Sequence, residues 1–229
     1  MDVFKTSTKK GYSNTDFNKV LKHVGLTSKF FGARVTEPPK STATEEDVMD
    51  LAKALRKIYL SIGPPTVGNE ATKCEFISPF MYTAVASLDN DNISLEREEE
   101  IGNDQIKGPV EYFVVYKNTV VNVVEAKKDN WDQGRAQLLM QLCTAYENNI
   151  NNNRQSSLHK IYGAVCTGSM WEFISYSKQG KWIYHGQYKP FPSELASPPE
   201  NYAIHCREVL EILRGTILDA ISETISDIE

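Results

Sequence analysis

The sequence predicts an α/β domain with a mixed central β-sheet flanked by helices, and three observations carry that prediction. Residues 108–127 read as two strands joined by a tight turn, with apolar side chains recurring at period two. Helical spacing then runs over about 133–148, and three further strand-like runs follow at 161–167, 171–177 and 182–188. A connection as long as 128–160 permits a crossover, so the strands on either side of it are expected to be parallel neighbours with a right-handed connection. Tight turns join the remaining strands antiparallel, which makes the sheet mixed.

Taken in order, the first dozen residues are polar. Ser13 or Asn14 is positioned to cap a short helix carrying Phe17, Val20, Leu21 and Val24, ending near Gly25. The stretch TEPPKSTAT at 36–44 reads as a linker, because paired prolines stop regular structure. It divides the chain into an N-terminal helical segment with its linker, 1–43, and a main domain, 44–229. Thr44 followed by Glu45, Glu46 and Asp47 is a capped helix start with acids at the positive end of the dipole. Val48, Leu51, Ala52, Leu55, Ile58 and Tyr59 form its apolar face. Asn69 starts the next helix, in which Pro79 predicts a kink or a split.

The run ISLEREEEI at 93–101 reads as an edge strand whose charges discourage unwanted pairing. Beyond the hairpin and crossover helix, Trp171, Phe173, Tyr176, Trp182 and Tyr184 recur at strand spacing. They are read as core, with base stacking as the alternative. The last stretch, 202–228, repeats Val209, Leu210, Leu213, Ile217, Leu218, Ile221 and Ile225 helically; it either closes the core or forms a homodimer surface.

Composition narrows the function. With 229 residues, 41% hydrophobic and 24% charged, the chain is long and apolar enough to bury a sizeable core. No apolar run approaches membrane-spanning length and the N-terminus lacks a signal-like segment. An intracellular protein, cytoplasmic or nuclear, is expected. Cys74, Cys143, Cys166 and Cys206 are widely spaced, so free thiols are expected rather than a metal cluster. A net charge of -5 argues against a general polyanion binder, although Lys107, Lys127, Lys128 and Arg135 can still form a local phosphate-attracting stripe or a solvated surface. The four histidines lack zinc-site spacing, and nucleophile-elbow, phosphate-loop and dinucleotide motifs are all absent.

The chemistry is concentrated in GPVEYFVVYKNTVVNVVEAKKDNWDQGRAQ. In the second strand Val121, Val123, Glu125 and Lys127 share one face. A carboxylate and an ammonium closing an apolar strand call for a partner or a metal. Glu111 can be that partner: a three-residue loop at 117–119 sets it opposite Glu125, whereas a two-residue loop at 117–118 sends the two to opposite faces.

Glu111 in a first strand, Glu125-Ala126-Lys127 ending a second, and Gln137 in the following helix resemble the core of the PD-(D/E)XK nuclease superfamily. In place of the family's usual aspartate, the first strand carries Glu111, preceded by Pro109-Val110. The resemblance implies a restriction-endonuclease-like core and a metal-dependent nuclease hydrolysing phosphodiester bonds of DNA, or of RNA. Glu111, Glu125 and the Ala126 backbone carbonyl would then hold Mg2+ or Mn2+. Lys127 would orient water and offset phosphate charge. Gln137 joins the catalytic set by the same resemblance. Glu75, in a helix ahead of the strands, is the candidate further carboxylate. Lys128, Arg135 and Gln141 are candidate substrate contacts. The rival reading keeps the fold without catalysis, as a module that binds nucleic acid or a protein partner.

Overall fold

The computed structural model describes residues 11, 16–33, 35–102, 107–152, 159–177, 179–190 and 195–225, and its central hairpin is built differently from the sequence expectation. Strands β2 (Lys107–Tyr116) and β3 (Thr119–Ala126) are joined by two residues, Lys117 and Asn118, with φ of 46° and 66°. Positive φ at both central positions is the turn geometry that matches the twist of paired strands. In the frame set by this turn, with Tyr116 opposite Thr119 and Val115 opposite Val120, Glu111 would face Val124 and Glu125 would point the other way. The register then shifts, and Val114, Phe113 and Tyr112 pair with Asn122, Val123 and Val124. Val121 is therefore the extra residue of a β-bulge. One step further along the shifted register, Glu111 lies opposite Glu125. A tighter turn plus a bulge replaces the three-residue loop, with the same result for the two carboxylates.

The sheet has six strands in chain order, β1 (Ile93–Gly102), β2, β3, β4 (Lys160–Cys166), β5 (Trp171–Ser177) and β6 (Trp182–Tyr188). Among the described residues only the β3–β4 neighbours run parallel, and the other strand pairs are antiparallel. Helix α4 (Trp131–Asn152) is the crossover between those two strands. It starts two residues before the expected position because the Asn130 side chain accepts a hydrogen bond from the Gln133 backbone N–H at 3.0 Å, closing the first turn.

Side chains sort the helices onto two sides of the sheet. Val123, Glu125 and Lys127 face α4, whose Leu138 and Leu142 close over Gly163; a methyl group there would fall 2.8 Å from Leu138 Cδ1. The other face meets α3 (Glu70–Ala86) and α5 (Ala203–Ile225). There Tyr112 and Ser78 hydroxyls lie 2.9 Å apart, the Asn122 amide donates to Thr216 Oγ1 at 3.0 Å, and the Tyr162 hydroxyl donates to Asp219 at 2.6 Å. Trp171, fully buried, meets Phe80 edge-on at 5.5 Å and stacks on Phe173 at 6.0 Å, so this part of the aromatic run is core. α2 (Glu45–Ile62) packs outside α3 and α5. Pro79 sits inside α3 without splitting it. The carbonyl it leaves without a helical donor belongs to Glu75, which is exposed, so water can satisfy it.

At the N-terminus, α1 (Phe17–His23) lies against α4 and is capped by Asp16, which accepts from the Lys19 N–H at 2.9 Å. The caps expected from sequence, Ser13 and Asn14, fall outside the described residues. A short 3-10 helix, Ser28–Gly32, follows. Thr36 then bonds β6 through Tyr184 and His185, and the Ser41 N–H donates to the Glu211 carbonyl of α5 at 2.9 Å. α5 itself is mostly buried, with Ile204 and Leu218 as its large exposed apolar residues. Among the described residues no helix is long and apolar enough to cross a membrane.

His185 gives this arrangement a pH signature. Its buried ring has Nδ1 2.9 Å from the Thr36 carbonyl and Nε2 3.0 Å from Ser175 Oγ, and burial holds its pKa below the usual 6.5, partly opposed by the Thr36 carbonyl. The unfolded chain therefore takes up the proton first as pH falls. The contribution is complete above pH 6.5 and is lost between there and the lower folded value, with a slope of at most about 1.4 kcal/mol per pH unit. Thermal unfolding of the parent and His185→Asn between pH 7.5 and 5.5 should show a difference in Tm that shrinks with acidification. A constant difference would rule out this linkage.

Candidate active site

Register places one row of side chains across the sheet on the face covered by α4. Glu111 and Glu125 are followed by Val165 in β4, Glu172 in β5 and Gln187 in β6. Directly opposed residues share a face, so the row is acidic at several strands. In β1 the corresponding position is Glu98, between the pairs Arg97↔Tyr112 and Glu99↔Val110, and its φ of 56° is left-handed.

Three elements bring side chains together at the C-terminal end of β3. Glu125, 2% exposed, holds its carboxylate oxygens between two donors: Lys127 Nζ at 2.8 Å and Gln141 Nε2 at 2.6 Å. The same ammonium lies 2.8 Å from Glu70 Oε1. Glu70 stands in the first turn of α3, which is fixed by Asn69 accepting the Thr72 N–H at 3.0 Å. On Glu111 the Cys74 thiol donates to Oε2 at 3.6 Å. Gly134 lets α4 approach this closely, since a methyl group there would come within 2.8 Å of both Lys127 Cγ and Val165 Cγ1.

The electrostatics follow from burial. Desolvation pushes the Glu125 carboxyl above its ordinary range; Lys127 and Gln141 oppose this, while Glu111 adds to it. Burial likewise raises Glu111, and the charge on Glu70 raises it further. For Lys127 burial works downward, but Glu125 and Glu70 outweigh it and hold the ammonium above the usual lysine range. The Cys74 thiol, pushed up to about 12 by burial and then by Glu111, stays a neutral donor.

Of the residues singled out from sequence, Glu125, Lys127 and Gln141 are in direct contact, and Glu111 lies beside them across the hairpin, bonded to Cys74. Gln137 lies on the same helical face, one turn before Gln141. It is 6% exposed and makes no side-chain hydrogen bond with any described residue. Leu138 and Leu142, from the same helix, close over Gly163 of β4. Ala126 is buried at the end of β3. Glu75 is exposed on a different side of α3, and Glu70 is the carboxylate that this helix brings to Lys127. The cap at Asn69 marks Glu70 as a first-turn residue, and the packing of α3 then sets that turn beside Lys127.

Lys128 is exposed, 4.0 Å from Asp129. Arg135 is occupied elsewhere: Nε and Nη2 each lie 2.7 Å from a Glu172 oxygen, and its guanidinium covers the Phe31 ring at 4.3 Å. Glu172 is 1% exposed and also accepts from Gln187 at 2.8 Å. An acid inside the aromatic strand WEFISYS was the sequence signal for this pair.

Whether the site suits a cation is decided by its donors. Among the described residues no three carboxylate, thiol or imidazole groups converge as a ready-made metal cage. Instead, Glu70 and Glu125 converge on the Lys127 ammonium with Glu111 alongside. Three carboxylates against one ammonium carry two formal negative charges, and all the acidic donors are hard oxygens. That charge and donor type fit Mg2+ or Mn2+ rather than zinc or a redox metal. No family model matches the chain, and no curated protein matches it.

Proposed function

We propose that the protein is a metal-dependent nuclease of the PD-(D/E)XK type, with a restriction-endonuclease-like core. One observation carries the reading: Glu125 and Lys127 at the end of β3 share one face with Glu111 across the hairpin, and Glu70 reaches the same ammonium from α3. The order of α3, the β1–β2–β3 meander, α4 and the parallel strand β4 is compatible with that core.

Glu111, Glu125 and the Ala126 carbonyl would hold Mg2+ or Mn2+, with Glu70 as the next carboxylate. Bound there, the ion supplies polarisation of the scissile phosphate and charge stabilisation of the leaving oxygen. The remaining work belongs to the chain. Gln141 fixes one oxygen of Glu125, leaving the other turned to Lys127. Cys74 orients Glu111 without adding charge. Lys127 places a positive charge, and the donor left beyond those turned to Glu70 and Glu125, where an attacking water and a phosphate oxygen must meet. Gln137 offers an uncommitted amide one helical turn before Gln141. Four free thiols suit the reducing interior of a cell.

Supercoiled plasmid and single- and double-stranded DNA and RNA oligonucleotides, incubated with Mg2+ or Mn2+ and with EDTA, test the reading. Cleavage that needs the metal and disappears with EDTA is the expected result. Tight binding without cleavage under every metal condition would favour the rival, a nuclease fold kept as a binding module.

A further inference from the structure

Charge is unevenly distributed around the carboxylate cluster. On the β1 side stand Glu96, Glu98, Glu99 and Glu100, with Arg97 turned to the hydroxyls of Tyr82 and Tyr112 at 2.9 and 3.3 Å. Away from these acids a cleft of about 540 Å³ lies between the end of α2 and the start of α3, lined by none of them and adjoined by a smaller one of about 280 Å³ that shares Lys57 and Ser61. Its apolar lining is Ile58, Ile62 and Val67, and Leu60 beside it is 66% exposed.

Lys53, Arg56 and Lys57 form one edge of the paired clefts, at helical spacing on α2. Lys53 is paired with Asp50, but Arg56 and Lys57 make no ion pair with any described residue, and Arg56 Nε is buried without a hydrogen-bond partner. Glu75 is the carboxylate on the cleft wall. Asn69 and Ala71 line the cleft, and Glu70, between them, contacts Lys127. A single turn of α3 thus separates cleft from cluster.

We propose that this α2–α3 cleft is the binding track for a single-stranded polynucleotide, delivering it to the carboxylate cluster past Glu70. A single strand is amphipathic in the sense the cleft requires: unpaired bases supply apolar faces for Ile58, Ile62 and Val67, and the backbone supplies phosphates for Arg56 and Lys57. A duplex hides its base faces and has no use for an apolar lining. The acidic β1 side repels a polyanion and leaves the α2–α3 side as the approach. This rests on the nuclease reading for what happens at the cluster, but the binding itself needs no catalysis.

The test is fluorescence anisotropy of a labelled 12-nucleotide oligothymidylate in EDTA, so that binding is read without cleavage. Arg56→Glu/Lys57→Glu should weaken binding by about tenfold or more at low salt. It should also reduce the steepness of the salt dependence by about 1.4, the loss of two phosphate contacts on a single strand. Lys22→Glu/Lys181→Glu, an equal charge change at exposed sites elsewhere, should have a much smaller effect. If the double variant binds and cleaves like the parent, the track is wrong while the nuclease reading stands. If binding depends on Arg56 and Lys57 but no metal supports cleavage, the track stands and the nuclease reading falls. Equal, equally dependent binding of a blunt duplex overturns the single-strand assignment. Absence of oligonucleotide binding, with capture of an acidic leucine-containing peptide instead, overturns the proposal in favour of a polypeptide ligand.

Discussion

Lys127→Ala should lower the rate of metal-dependent cleavage by on the order of 10² or more while Mn2+ still binds. The variant removes an ammonium held 2.8 Å from both Glu70 and Glu125 and leaves Glu125 in the interior with Gln141 as its remaining donor. An uncompensated buried carboxylate is costly, so the metal-free variant should melt below the parent, and Mn2+ should raise its Tm by more than it raises the parent's. Glu125→Gln is the complementary change. It preserves shape and removes one of the proposed metal oxygens, so both Mn2+-dependent stabilisation and cleavage should disappear together. Calorimetric Mn2+ titration, thermal melts and a cleavage assay on the two variants separate the roles. Parent-like cleavage by Lys127→Ala, or parent-like Mn2+ binding by Glu125→Gln, would show that the roles are misassigned.

Arg135→Ala should destabilise the fold by on the order of 3 to 5 kcal/mol, because it strips a 1% exposed Glu172 of its bidentate partner. Arg135→Lys should recover part of this, since a point charge replaces one of two parallel hydrogen bonds. Arg135→Met/Glu172→Leu should be close to the parent in stability, as removing both charges removes the desolvation cost with them. Urea denaturation reads all three. Should Arg135→Ala unfold at the parent's midpoint and lose only oligonucleotide affinity, Arg135 is a phosphate contact, as its place in the sequence stripe first indicated.

Much of the fold is written in local signals. The cap at Thr44, the alternation through β5 and β6 and the length of the β3–β4 connection each follow from residues within a short window. What resisted reading depends on contacts between distant segments. Glu70 and Glu75 both sit in α3, and only the packing of that helix against the end of β3 brings the first of them to Lys127. Arg135 looks like a free cation until β5 supplies Glu172, 37 residues away. The hairpin turn was ambiguous for a different reason. Val120 and Val121 are both apolar, so alternation does not say where the bulge falls.

That bulge has a consequence for how such chains are compared. A β-strand has a reading frame of two, and Val121 is an insertion within it. Upstream, the frame is set by the Lys117–Asn118 turn; downstream, it is set by Glu125 and Lys127 facing α4. Loss of one residue between them would leave composition and hydropathy almost unchanged while turning the carboxylate and the ammonium toward α5 or the turn out of register. Counting the residues between the Lys117–Asn118 turn and the Glu-Ala-Lys triplet, six here from Thr119 to Val124, therefore says more about whether a related chain retains the cluster than matching the triplet itself.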